Sequence, residues 1–413
     1  MDISKQVLII GTVWPEPNSS AAGSRMMQLI EQFLLQDWRI TFASAASDSE
    51  FAFDVQTLGI QKVKIELNNK SFDEFVSNLK PTVVLFDRFM MEEQFGWRVA
   101  ENCPDALRIL DTIDLHCLRQ ARQLAFKENR KFTNQDLFSD TAKREIASIL
   151  RCDSSLIISD FEMDLLQEYF KIDKDLLYYI PFLLDKIEEK EKVNWPTFED
   201  REHFITIGNF IHEPNWNAVQ YLKEEIWPLI RKQLPSAELH IYGAYASQKV
   251  NELNNIKEGF IINGRAVDAM TVVKKAKICL APLRFGAGIK GKLVEAMQCG
   301  TPCVTTDIGA EGMRGKFEWN GIIANTTQEI ADAAVKLYSD KTLWQKSQEN
   351  GIVIINNFYS KEKFEKKLIE DIESLQKNLK EHRHKNFIGA MLMHHTVSGT
   401  KYMSKWIEEK GKK

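Results

Sequence analysis

Short, almost uninterrupted apolar runs alternate with amphipathic stretches along most of this chain. Val7-Leu-Ile-Ile-Gly11 leads into a polar loop, after which Met26, Leu29, Ile30, Phe33 and Leu34 recur on one helical stripe over residues 22–36. Further strands are predicted at 39–43, 63–67, 82–87, 107–110 and 155–159. Helices are predicted at 72–79, 92–102 and 160–170, with a long polar helical region over 119–151. Strands that are apolar on both faces belong in a parallel sheet covered by helices on each side.

A charged run at 185–196 breaks this rhythm and reads as a linker, after which the pattern restarts. Strands are predicted at 204–208, 239–242, 260–263, 278–281 and from 302, with helices at 216–233, 267–275 and on to about 356. Ser360 reads as the cap of a charged helix over 361–381. Met391, Met393, Tyr402 and Trp406 read as packing positions of a helical tail. The expected architecture is α/β: two Rossmann-like, doubly wound domains, residues 1–184 and 197–360, facing across a cleft. A helical tail, 361–413, is expected to pack back on the first domain. Ligands of open parallel sheets sit beyond the carboxyl ends of the strands, so the loops after Ile10, Leu110, Ile207, Tyr242 and Leu280 carry the interest.

Composition narrows the function classes. A chain of 413 residues has room for two cores. A net charge of −4 argues against a general nucleic-acid coat. No apolar run approaches the about 20 residues of a membrane span, and the first residues lack the layout of a signal peptide. The six cysteines show no Cys-x-x-Cys spacing and several lie in apolar segments, as in a reducing compartment. The expectation is a cytoplasmic protein, with peripheral contact to a membrane left open. Arg119, Arg122, Lys127, Arg130 and Lys131 suit anionic lipid, but Glu128 and Asp136 interrupt them, which favours a solvated helix.

The densest chemistry lies between Leu280 and Val304: a buried strand, a glycine turn at Gly286 and Gly288, and a helix from about Ile289. Such a turn leaves backbone N–H groups unpaired beside the positive end of the helix dipole, a geometry that accepts phosphate. Lys290 and Lys292 add positive charge, and Glu295, three residues after Lys292, shares its face. A phosphate cradle with an acid one turn on suits a nucleotide, diphosphate on the amides and lysines and ribose on the acid. Glycine turns also serve close packing, and the same three side chains fit a solvated helix face.

Pro282-Leu-Arg-Phe-Gly-Ala-Gly-Ile-Lys-Gly-Lys-Leu-Val-Glu-Ala-Met297, followed by Gly300-Thr-Pro-Cys-Val-Thr-Thr-Asp-Ile-Gly-Ala-Glu-Gly312, resembles the donor-site signature of the retaining family 4 GT-B glycosyltransferases (glycosyl transferases group 1). Ile207-Gly-Asn-Phe-Ile-His-Glu-Pro-Asn-Trp-Asn-Ala218, Tyr242-Gly-Ala, Asn263-Gly-Arg265 and Leu110-Asp-Thr-Ile-Asp-Leu-His116 support the likeness. The resemblance implies the GT-B fold and transfer of a sugar from a nucleoside-diphosphate sugar, with retention, to a saccharide, lipid-linked or protein acceptor. Helix-start amides and lysines can stabilise a leaving diphosphate without a metal, and with no Asp-x-Asp placed at a strand end, no metal and no other cofactor are expected. The resemblance places the diphosphate on the amides of the Gly286 to Gly288 turn and the ribose on Glu295; Gly208, Arg265, Ala287, Ile289, Lys290 and Lys292 are read as the further donor-binding positions.

The resemblance also implies that His116 contacts the transferred sugar or orients the acceptor; a lone histidine is equally a packing residue. Gly23 is read as an acceptor or phosphate loop position, with plain packing as its alternative. Glu311 is a weaker candidate near the sugar, and Trp14, Pro15 and Pro17 are candidates for an acceptor platform. Asp111 and Asp114 form the one close acid pair at a strand end, with Asp114 also suited to cap the following helix. Two departures stand out. The family often has Glu where this chain has Ala287, and the loop Gly208-Asn-Phe-Ile-His-Glu-Pro lacks the Arg and Lys of many members. Positive charge on the diphosphate must then come from Lys290, Lys292 or Arg265. The alternatives are a non-catalytic nucleotide- or partner-binding protein of the same fold, and a nucleotide-sugar epimerase, whose acid/base carboxylates the chain does not visibly cluster.

Overall fold

A computed structural model describes residues 5–394, Tyr402 and Lys410. The first sheet contains β1 (Gln6–Gly11), β2 (Arg39–Ser44), β3 (Gln61–Lys64), β4 (Val83–Asp87), β5 (Leu107–Asp111), β6 (Ser154–Ile157) and β7 (Leu177–Tyr179). The second contains β8 (Glu202–Ile207), β9 (Leu239–Tyr242), β10 (Phe260–Gly264), β11 (Ala276–Ala281), β12 (Cys303–Thr305) and β13 (Gly321–Ile323). The strand orders are β3-β2-β1-β4-β5-β6-β7 and β10-β9-β8-β11-β12-β13, and each described pairing is parallel.

The period-2 alternation of a strand explains why these runs are apolar throughout. Leu8, Ile10, Val84 and Phe86 pack into one core of the first sheet, whereas Val7, Ile9, Val83 and Leu85 pack into the core on its other face. The second sheet divides in the same way, with Phe204, Ile278 and Leu280 on one side and Ile205, Cys279 and Ala281 on the other. Each such aliphatic side chain, fully withdrawn from water, contributes about 1.5–3 kcal/mol.

In each sheet the strand order reverses at one place, between β1 and β4 and between β8 and β11. Loops diverge at such switch points and leave a crevice beyond the strand ends. The loops that follow β1, β4, β8 and β11 therefore define where a ligand fits.

Several boundaries differ from the sequence expectation. The polar region over 119–151 is two helices, His116–Lys127 and Asp140–Arg151, parted by a 3-10 turn at Asn134–Leu137. The helix expected over 216–233 widens into a π-type turn at Leu222–Ile226, where Pro228 two residues later lacks the N–H to continue the regular ladder. Ser360 is no cap: it is buried, its hydroxyl has no partner, and the charged helix starts at Glu365 and breaks at Asn378. Leu368, Ile369 and Ile372 of that helix join the core lined by Met26, Leu29 and Phe33. Arg383 then grips Asp153 through Nε and Nη2 at 2.7 and 2.8 Å. Met391 was expected to pack but is exposed, as are Phe387 and Ile388, because the helix Phe387–Met393 meets Leu150 through Asn386 and Gly389. Trp406 lies outside the described residues. Among the described residues no helix is long and apolar enough to cross a membrane.

Candidate active site

The turn after β11 is gripped by the first domain. The Gly286 carbonyl accepts from Arg122 Nη1 at 2.9 Å, and the Gly288 N–H donates to Glu162 Oε1 at 2.8 Å. Gly288 has φ 63°, and a Cβ there would lie 2.7 Å from the Asp114 Cβ, so conformation and space both require glycine. Ala287 packs against the core of the first domain, Ile289 is buried, and a Cβ on Gly291 would meet Ala21 at 2.5 Å. The turn amides were expected to be free for an anion. The Gly288 amide is instead taken by a carboxylate, one that also accepts from Leu115 N at 3.0 Å. Burial lifts Glu162 to about 8, and its second oxygen is buried without a partner.

The three charged residues after the turn are not a solvated face. Lys290 is buried, and its ammonium turns back to donate to the Gly288 carbonyl at 2.8 Å; burial pulls it down to about 8. Lys292 Nζ donates to Asn215 Oδ1 at 2.8 Å and would lie 2.9 Å from a Cβ on Gly208. The loop after β8 has no Lys or Arg of its own, yet Lys292 reaches over it from the helix Gly291–Gln298 and supplies one. Burial lowers Lys292 to about 8 as well. Glu295, half-buried on the same face, is raised by burial to about 7, with Lys292 pulling the other way. Among the described residues nothing hydrogen-bonds to its carboxylate, which leaves both oxygens to a ligand.

Across the gap stands His116, the first residue of its helix rather than part of a loop. A fully buried carboxylate, Glu145, accepts from His116 N and Cys117 N, each at 2.9 Å, and fixes the orphan amides of that helix start. The His116 ring meets Phe89 edge-on, centroids 5.5 Å apart, and its Nε2 lies 3.3 Å from Asp114 Oδ1. Burial brings the imidazole down to about 4; Asp114 opposes this, and Arg119 and Arg88 reinforce it. The ring is therefore neutral near pH 7, and its approach to Asp114 is not an ion pair there. Burial alone would raise Asp114, but Arg119 and His116 hold it well below the usual carboxylate range. Asp114 receives Arg119 Nε at 2.7 Å and caps no helix. His212 keeps contact with solvent, but enclosure and the Arg119 charge lower it to about 4.

Other expected residues fall differently. Arg265 is exposed at the rim, over the Phe51 ring at 4.4 Å and 3.4 Å from Ser19 Oγ. The Gly23 N–H is bonded to Ser20 Oγ at 3.0 Å, and a Cβ there would strike the Glu16 backbone at 2.4 Å; its glycine serves close packing. Trp14 is buried, and its indole donates to Ala46 O, so it forms no exposed platform. Asp111 is sealed against Arg25 at 2.9 Å and forms no ligand pair with Asp114. Glu311 holds Arg122 in a two-pronged pair, 2.7 and 2.8 Å, beside a cavity of about 290 Å³ lined by Asp160, Asp307, Glu311 and Arg314.

Residues not singled out from sequence complete the site. Arg119 and Arg122 looked like a solvated stripe; their spacing of three puts both on the cleft face of one helix. Arg88, directly after β4, has φ 69° and ψ 157°, a backbone region otherwise left to glycine.

Residues 201–340 match the family described as Glycosyl transferases group 1. A probable sucrose-phosphate synthase 2 from Oryza sativa subsp. japonica is 29% identical over 123 residues, which is 29% of this chain and 12% of that protein. Sucrose-phosphate synthase from Thermosynechococcus elongatus superposes with a TM-score of 0.68 at 14% identity, over 90% of this chain and 99% of its own. Anabaena HepE, solved with UDP and glucose, gives a TM-score of 0.65 at 12% identity, over 90% and 100%. The second domain of this chain thus matches the glycosyl transferases group 1 family, on a chain that has the two-domain GT-B fold.

Proposed function

We propose that this protein is a glycosyltransferase that moves a sugar from a nucleoside-diphosphate sugar to an acceptor held by the first domain, with retention and without a metal. The observation that carries the reading is the pairing of Lys292 and Glu295 on one face of a cleft helix. Both are depressed or raised by burial, and the Glu295 oxygens are uncommitted. A base and an acid one turn apart match a diphosphate and a ribose diol. As the sugar leaves, negative charge grows on the diphosphate, and Lys292 with the remaining amides of the turn and helix start would meet it in a nearly dry site. His116, neutral and packed edge-on against Phe89, is suited to a hydrogen bond with a hydroxyl of the transferred sugar.

The match to the glycosyl transferases group 1 family and the fold shared with an enzyme solved with UDP and glucose support this reading. In this reading Arg265, exposed at the rim, would flank the base or outer diphosphate, and the missing Cβ of Gly208 leaves the Lys292 ammonium room over the backbone. Incubating the protein with a panel of nucleotide sugars tests the reading. Slow release of free UDP or GDP is expected in wild type, with binding kept and release lost in His116→Ala. Tight binding of a donor with no release under any acceptor would favour a non-catalytic role.

A further inference from the structure

Away from the cleft, at the amino ends of β8 and β9, three side chains able to ligate a metal converge. The parallel register sets Phe204 beside Leu239 and Ile205 beside His240, which brings His203 next to Glu238. Glu238 and His240, two residues apart, lie on one face of the strand edge. His203 Nε2 is 3.7 Å and His240 Nε2 3.0 Å from the same Glu238 Oε2, and the three ligand atoms lie within 4.8 Å of one another. The backbone of His203 has φ 62°, an uncommon setting for a non-glycine residue.

The spacing is that of a small ion. A tetrahedral centre with bonds of about 2.0–2.1 Å to nitrogen and oxygen keeps its ligand atoms about 3.3 Å apart, between the two distances observed. The outer nitrogen of His240 lies 3.2 Å from the Asn263 side-chain amide, which on turning over presents its oxygen to an Nδ1–H and fixes the ring. At His203 the price is a long contact: the Glu238 N–H that leans on Nδ1 at 3.3 Å must give way when that nitrogen takes the proton. Glu202 Oε2, 3.9 Å from His203 Nε2, is placed to swing in as a fourth donor.

We propose that His203, Glu238 and His240 form a binding site for a divalent transition metal of the zinc, cobalt or nickel type. Two imidazoles and one carboxylate are the donor set these ions favour. The side chains retain 32%, 34% and 27% of their exposure, so an ion can enter. The site lies at the opposite strand ends from the cleft, and its ion would staple β8 to β9 instead of taking part in the reaction.

Cobalt(II) titrated into the chelator-treated full chain tests this through its visible absorption, followed by competition with zinc. One saturable site displaced by zinc is expected, together with a higher melting temperature in zinc. His240→Ala and His203→Asn should each weaken cobalt binding at least tenfold with an unchanged circular dichroism spectrum. Both variants keep the histidines of the C-terminal segment, His382, His384, His394 and His395. Cobalt binding that survives the substitutions belongs elsewhere and overturns the proposal, as does a wild-type protein without saturable binding.

Discussion

Replacing Glu295 by glutamine should make the protein more stable above neutral pH and a poorer binder of nucleoside diphosphates. Burial lifts the Glu295 carboxyl to about 7 from an ordinary value of 4.5, and Lys292 offsets only part of the rise. A carboxyl that holds its proton more tightly in the fold than in the unfolded chain lowers stability as pH climbs through that interval, and the deficit persists above it. At about 1.4 kcal/mol per pH unit the rise corresponds to about 3 kcal/mol. Solvent contact along the half-buried side chain reduces this to about 1–2 kcal/mol. Glutamine keeps the shape and one carbonyl oxygen but never ionises. Urea denaturation at pH 5 and pH 8 is the assay: the two proteins should nearly coincide at pH 5, with the variant ahead by about 1–2 kcal/mol at pH 8. Calorimetric titration with UDP and GDP should show binding at least tenfold weaker. A variant less stable than wild type at pH 8 would refute the burial argument, and unchanged nucleotide binding would remove Glu295 from the donor site.

Three further outcomes follow from neighbouring groups. Glu162→Ala strands the Leu115 and Gly288 N–H groups and should destabilise the protein by about 2–4 kcal/mol. Glu162→Gln retains an acceptor for both and should lose less than half as much; equal losses in urea would show that the two amides do not depend on that carboxylate. Arg122→Met removes the two-pronged pair with Glu311 and the bond to Gly286, and should raise the radius of gyration in small-angle scattering by loosening the two domains. An unchanged profile would assign their apposition to other contacts. Arg88→Gly relieves a backbone setting that costs about 1–3 kcal/mol and adds about 0.5–1 kcal/mol of unfolded-state entropy, for a net gain near 1 kcal/mol. A lower melting temperature would show that the Arg88 side chain contributes more than its backbone costs.

Strand positions were readable because their physical cause is local: Val7 to Ile10 and Ile278 to Ala281 are apolar at every residue, and only a sheet covered on both faces buries them all. The β7 edge of the first sheet was harder. β7 is three residues long, and its Tyr178 and Tyr179 give no alternating signal. In the candidate site, the shared helix face of Lys292 and Glu295 was legible from their spacing. The carboxylates that organise it, Glu145 and Glu162, were not, since each acts on an amide far away in sequence and looks from its own neighbourhood like an exposed helix position. Gly23 and Trp14 misled for the opposite reason. Glycine and tryptophan in a loop suggest access, whereas here the loop folds down on both.

The ammonium over Gly208 is rooted in the helix Gly291–Gln298 and at its tip meets Asn215, in the first turn of the helix Glu213–Tyr221 that follows the loop. Charge and scaffold are thereby separated. The side chains of residues 211–213 can change in polarity over evolutionary time without displacing the cation, as long as the Asn209 carbonyl still holds Asn215, because the cation travels with a rigid rod packed beneath a different strand. Variation among related chains should therefore concentrate in that loop, and engineering of base or sugar preference can begin there with the electrostatic anchor left in place.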